Sequence, residues 1–462
     1  MKKLFAVLVT ILLLAVIACS GGSSGSSTPV SHNSWTWVSG DNTGNQSGVY
    51  GTKGVADGAN KPGTRNCSTI WIDNNGNLWL FGGDGYDSVG NWLFLNDLWK
   101  FDGTNWTWVS GDNIGNQSGV YGNKGVADGL NTPGARHGSV SWIDNNGNLW
   151  LFGGVGYNSV GDISFFNDLW KFDGTNWIWV SGDNIGSQSG VYGNKGVADA
   201  ANKPGARSRS VSWIDKSGNL WLFGGGMSVI GSFHDIFYYF FNDVWKFDGT
   251  NWTWVSGDNK ANQSGVYGTK DVADGVNTPG ARHGSVSWID KNGNLWLFGG
   301  QRYDSVGNWL YLNDLWKFDG TNWTWVSGDN IGNQSGVYGT KDVADAANKP
   351  GARCGSVSWI DNNGNLWLLG GEGKVSAENF VFLNDLWKFD GINWTWVSGD
   401  NIGNQRGVYG SKGVADAANK PGARYGSVSW IDNNGNLWLF GGDGYDSAGN
   451  IVSLNDLWKY KP

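Results

Sequence analysis

Polar and apolar residues alternate through Ser139–Ile143, and a continuous apolar run, Leu149-Trp150-Leu151-Phe152, follows shortly after. Alternation of period two marks a half-buried strand, whereas an unbroken run bounded by turns suits a strand covered on both faces. Asp144–Asn148 (Asp-Asn-Asn-Gly-Asn) separates them as a turn of residues that tolerate positive φ. Gly153-Gly154 ends the run where neighbouring backbones crowd. Asn167–Phe172 reads as a third strand, Asp173–Asn176 as a turn and Trp177–Val180 as a fourth strand. The unit is a four-stranded antiparallel meander.

This pattern is written six times. Its glycine pairs fall at Gly82, Gly153, Gly224, Gly299, Gly370 and Gly441, spaced by 71, 71, 75, 71 and 71 residues. Six four-stranded units predict an all-β protein, a six-bladed propeller. The fourth-strand phrase comes first in the chain, at Trp35, and is missing after the sixth unit. That phase predicts a ring closed by residues 35–38 completing the last blade beside Leu454–Tyr460, which leaves no sheet edge open.

The repeated residues resemble the Kelch repeat of the galactose-oxidase central-domain superfamily. An Arg opens the first strand, Gly-Gly ends the second, an aromatic residue with Asp lies in the third and Trp in the fourth. The likeness covers all six units, residues 35–462. It departs from the common pattern in a Trp-Lys-Phe-Asp third strand and in a long insertion before each Arg, such as Gly111–Ala135. The resemblance implies a propeller, and it brings two enzyme classes to mind, copper radical oxidases and sialic-acid mutarotases. The four histidines, His32, His137, His234 and His283, assemble no matching copper site, and no other metal or cofactor is expected. Glu occurs only at Glu372 and Glu378, so paired carboxylates for sugar chemistry are not evident.

Composition narrows the picture. The chain holds 76 Gly, 32 Trp and only 8 Pro, with a formal charge of −8. A turn-rich β-protein packed with aromatics fits; an acidic chain without a basic cluster argues against nucleic acid or anionic lipid as partner. Trp71, Trp142, Trp213, Trp288, Trp359 and Trp430 recur at one strand position and read as core between blades rather than as sugar platforms. The Asp-Asn-Asn-Gly-Asn segments read as hairpin turns in preference to calcium loops.

Lys2 and Lys3 precede an apolar run from Leu4 to Ala18, too short for a membrane span and suited to a secretory leader. The run ends Val16-Ile17-Ala18-Cys19, resembling the lipobox of bacterial lipoproteins. Residues 1–19 are thus expected to be a lipoprotein signal peptide, Cys19 the lipidated residue, and 20–34 a Gly/Ser tether for a monomeric domain 35–462. Lipid anchoring at the outer membrane or cell surface follows from the resemblance, with no other membrane contact. Cys67 and Cys354 occupy non-equivalent positions, which makes a disulfide between them improbable.

Positions that vary among six otherwise equal units are free for particular tasks. Two vary: the stretch after Gly-Gly, and the residue after each first-strand Arg, namely Asn66, His137, Ser208, His283, Cys354 and Tyr425. Meander geometry sends both to the face that carries the insertions, around the channel mouth. Arg65, Arg136, Arg207, Arg282, Arg353 and Arg424 stand there too, either as clamps onto an Asp and carbonyls of their own insertion or as ligand contacts. Candidate binding residues are therefore these arginines with His137, His283, Tyr425, Glu372, Tyr238 and Tyr239. A cell-envelope module that binds a glycan, peptide or protein is the leading reading. A carbohydrate-active enzyme using the Arg ring and Glu372 is second, and a purely structural envelope protein third.

Overall fold

The computed structural model describes residues 33–230, 236–304, 307–374 and 380–462. Cys19, with the leader and nearly all of the tether, lies outside the described residues. Six four-stranded antiparallel sheets surround one axis, with no helix among the described residues. In the second blade Val140–Ile143, Leu149–Phe152, Leu169–Phe172 and Trp177–Ser181 pair in that order.

The sixth blade uses both ends of the chain. Ser34–Ser39 pairs with Ile451–Lys461, setting Trp35 opposite Tyr460. Their rings lie 5.0 Å apart between centroids. Closure is thus secured by the strand ladder and by aromatic packing, without a covalent link.

Alternate residues of each apolar run enter the two interfaces flanking their blade. Trp71, Phe81 and Leu98 of the first blade pack on Leu149, Leu151, Trp170 and Trp177 of the second. The Trp71 indole also donates to the Trp150 carbonyl at 2.9 Å, a bond repeated at Trp142, Trp288 and Trp359. These tryptophans are core, as their recurrence predicted.

At the inner end of the blades the backbone forms a second closure. The amide of Gly138 donates to Cys67, Arg209 to Gly138, Gly284 to Arg209, Gly355 to Gly284, Gly426 to Gly355 and Cys67 to Gly426, at 2.7–3.0 Å. The result is an unbroken hydrogen-bonded circle of six residues. All six have positive φ, from 48° at Cys67 to 67° at Gly426. Glycine adopts that conformation freely; Cys67 and Arg209 hold it against steric preference.

The insertions are ordered lobes. In the one preceding the second blade, Val120 and Thr132 form a bridge. Asn131 donates to the Val126 and Trp177 carbonyls at 3.0 and 3.1 Å. Lys124 donates to the Gly182 carbonyl at 2.8 Å and lies 4.3 Å over the Trp179 ring. The lobe therefore docks on the outer strand of the blade that follows it. A loop of this length stays ordered only with such bonds of its own.

The stretches after Gly-Gly are strand rather than loop. In the first blade Leu78–Tyr86 pairs with Trp92–Phe101 past a bulge at the glycines. Gly82 and Gly83 have φ of 60° and 104°, which bends the hairpin without ending the ladder.

Candidate functional site: the axial mouth

Arg65, Arg136, Arg353 and Arg424 each open a two-residue strand over the bulge, and Arg207 and Arg282 each precede a single bridge at the same place. The Arg136 guanidinium donates to Asp168 Oδ1 and Oδ2 at 2.7 and 2.8 Å, and to the carbonyls of Gly134 and Gly153. Asp168 also accepts from the Tyr121 hydroxyl at 2.6 Å and the Trp170 indole at 2.7 Å. The same constellation recurs in every blade, with the arginine side chains 0–2% exposed. Arg65, Arg136, Arg207, Arg282, Arg353 and Arg424 are therefore clamps, and ligand contact through them is corrected: no surface of theirs reaches the mouth. The partner is also corrected. It is the third-strand Asp, and the insertion contributes one carbonyl and the tyrosine.

The mouth itself is built from rows of three residues, one from each short strand and two from the extended hairpin. The backbone pairings give Asn66, Asp84 and Phe94 in the first blade, and His137, Val155 and Phe165 in the second. Ser208, Gly226 and Phe240 follow in the third, then His283, Gln301 and Tyr311 in the fourth. Cys354, Glu372 and Phe382 form the fifth row, and Tyr425, Asp443 and Ser453 the sixth. Each row holds one aromatic ring, but carboxylates occupy blades five, six and one, whereas the imidazoles occupy blades two and four. The mouth is polarised.

The first member of each row leans on the preceding blade. His137 stacks on Phe94 with centroids 5.1 Å apart, His283 on Phe240 at 4.7 Å and Tyr425 on Phe382 at 6.5 Å. Asn66 donates to Asp443 at 2.6 Å, and Ser453 donates to the other oxygen of the same carboxylate. His283 Nε2 meets the Gln301 amide oxygen at 3.1 Å, and the Tyr311 hydroxyl bonds Glu372.

Arg209 belongs to the mouth and was not anticipated. It fills a position that is glycine in four blades and Cys67 in the first. Its guanidinium lies 5.3 Å from the Tyr425 ring centroid and bonds the Cys67 thiol. No ion pair engages it among the described residues, unlike the six clamp arginines. Burial and the Arg209 charge together hold His137 and His283 near pKa 3, so both imidazoles are neutral. The His137 Nδ1 is buried without a hydrogen-bond partner. Burial, then repulsion from Asp443, raises the Asp84 carboxyl to about 7, and Arg209 opposes that rise. Burial pushes Asp443 up as well, against its bonds to Ser453 and Asn66.

A cavity of about 210 Å³ opens beside Arg209, lined by His137, Phe165, Tyr238, Phe240 and His283 among others. Tyr238 lines it, while Tyr239, on the opposite face of the same strand, is exposed. The structure therefore brings together His137, His283, Tyr425, Glu372 and Tyr238 around the mouth and leaves Tyr239 outside the cavity. It adds Arg209, Asp84, Asp443, Gln301 and Tyr311. Among the described residues no three His, Cys, Asp or Glu side chains converge as a metal site. Cys67 and Cys354 are both free thiols.

No family model matches the sequence, and no curated protein matches it. Solved structures do. YjhT is 16% identical over 86% of this chain and 95% of its own, with a TM-score of 0.50. A fungal alcohol oxidase of the AA5 family, in complex with copper, is 13% identical over 90% and 77%, TM-score 0.46. An α-L-arabinofuranosidase from Fusarium graminearum, with an iminosugar inhibitor, is 11% identical over 85% and 92%, TM-score 0.45. In fold, this chain is similar to YjhT.

Proposed function

We propose that the protein is a cell-envelope binding module whose axial mouth engages a glycan, peptide or protein partner. One observation carries this reading: six nearly equal blades diverge at the mouth, and there the carboxylates gather on blades five, six and one, across from the imidazoles of blades two and four. Binding residues concentrate where a rigid scaffold presents variable positions. The lipobox-like Val16–Cys19 supports anchoring at Cys19. The described chain begins at Asn33 on the turn-bearing face, bonded to Lys461 at 2.7 Å. A lipid anchor joined through that end would leave the mouth at the far end of the blades.

Capture of envelope glycans and proteins by the purified full chain tests the proposal. Capture lost on substituting His137 and Arg209 supports it; capture indifferent to mouth substitutions defeats it.

The Asp84–Asp443 neighbourhood favours a second reading, a carbohydrate-active enzyme. A carboxyl near pKa 7 next to another carboxylate suits general acid–base work. Glu372 is instead tied to the Tyr311 hydroxyl. Sugar turnover abolished by Asp84→Asn with binding retained would establish the enzyme over the module.

A further inference from the structure

We infer that the cavity beside Arg209 takes a small aromatic carboxylate, its ring among His137, Phe165, Phe240 and His283 and its carboxylate on the Arg209 guanidinium. The inference rests on the mouth being the binding face.

Volume sets the size. An apolar cavity of about 150 Å³ accommodates benzene, so 210 Å³ holds one such ring with a carboxylate attached. Drug-sized sites run to roughly 300–1,000 Å³; a disaccharide or a peptide segment does not fit inside this one.

Wall chemistry sets the class. The walls are largely aromatic or apolar, with Val155 and Met227 joining Phe165, Tyr238 and Phe240. Among the described residues no carboxylate lines the cavity and Arg209 is its one cation, in a chain of formal charge −8. Guanidinium presents a planar fork matched to a carboxylate, and among the described residues none forms an ion pair with it. A polyhydroxylated ring would leave buried hydroxyls without partners, and the largely apolar walls would not offset their desolvation. A flat ring with a single anionic end has no such deficit. The unpartnered His137 Nδ1 offers one further polar contact. Asp84 and Asp443 lie in rows on the other side of the mouth, with the Arg209 charge acting on both.

Titration of the full chain with benzoate, benzyl alcohol and gluconate tests the assignment. Benzoate is expected to bind at least tenfold more tightly than either the neutral ring or the carboxylate without a ring. Arg209→Gly installs the residue that four other blades carry, so folding should survive; it should abolish the preference for benzoate over benzyl alcohol. Phe240→Leu should weaken both aromatic ligands and leave their ratio unchanged. Benzyl alcohol or gluconate binding as well as benzoate overturns the inference, as does undiminished benzoate affinity in Arg209→Gly. Mouth-dependent capture of an envelope partner without benzoate binding overturns only this ligand class. Capture indifferent to the mouth overturns the reading beneath it.

Discussion

Arg136 and Asp168 face each other through two parallel bonds of 2.7 and 2.8 Å, with neither side chain exposed. Two further donors, Tyr121 and Trp170, complete the carboxylate, so the pair joins the short strand, the third strand and the insertion lobe of one blade. Removing one member strands the other charge in the interior. Arg136→Met should therefore cost about 3–5 kcal/mol, read as a lower urea midpoint. A loss below about 1 kcal/mol would mean the pair behaves as a surface bridge.

Ring closure predicts a second large effect. Trp35 is 2% exposed and packs on Trp458 and Tyr460. Trp35→Ala should destabilise the whole propeller by about 3–5 kcal/mol, with one cooperative transition in chemical denaturation. Separate unfolding of the sixth blade would show that closure does not couple the ring.

Asp84 titrates near neutrality, and its linkage has a definite sign. Its carboxyl rises from 3.8 in a free chain to about 7 in the fold, so the folded state holds the extra proton. Stability from this group is full below about pH 4, declines between pH 4 and 7, and is absent above. Asp84→Asn should raise the melting temperature at pH 8 and change it little at pH 4. An equal shift at both pH values would place the Asp84 carboxyl in an ordinary environment.

The two imidazoles act in the opposite direction. Burial first, and Arg209 second, lower His137 and His283 from 6.5 to about 3. Their contribution is present above pH 6.5 and is lost as acid approaches pH 3. Imidazole NMR shifts should stay those of the neutral ring from pH 8 to 4. Titration of either ring between pH 5 and 7 would contradict the enclosure of the mouth. Arg209→Gly should raise both values by removing the repelling charge.

The architecture was legible because repetition removes ambiguity: one blade read from Ser139 to Val180 fixes the other five. The phase of Trp35 even located the closing strand, to within one residue at each end. The Arg positions were legible and their role was left open, because a recurring Arg marks equivalent space without saying what fills it. Only the fold paired Arg136 with Asp168, 32 residues on, and left the insertion to add a single carbonyl. Mouth residues were partly legible. His137, His283 and Tyr425 emerged from comparing the copies at one position; the same comparison one residue further would have exposed Arg209 among glycines. Asp84 and Asp443 lay within the variable stretch after Gly-Gly, but they share one Asp-Gly-Tyr-Asp phrase, so comparing the copies did not single them out. Their meaning depends on blades six and one being neighbours in space, a proximity that a separation of 359 positions conceals.

The hydrogen-bonded circle at the inner ends of the blades has a bearing on copy number. Each of its six links joins one blade to the next, and all six residues hold φ between 48° and 67°, a shared curvature that closes on six members. A gene that gained or lost one repeat would have to re-form this circle with seven or five amides at a different pitch. Repeats of such similarity are prone to duplication and deletion, and the circle acts as a gauge against both. It counts the blades.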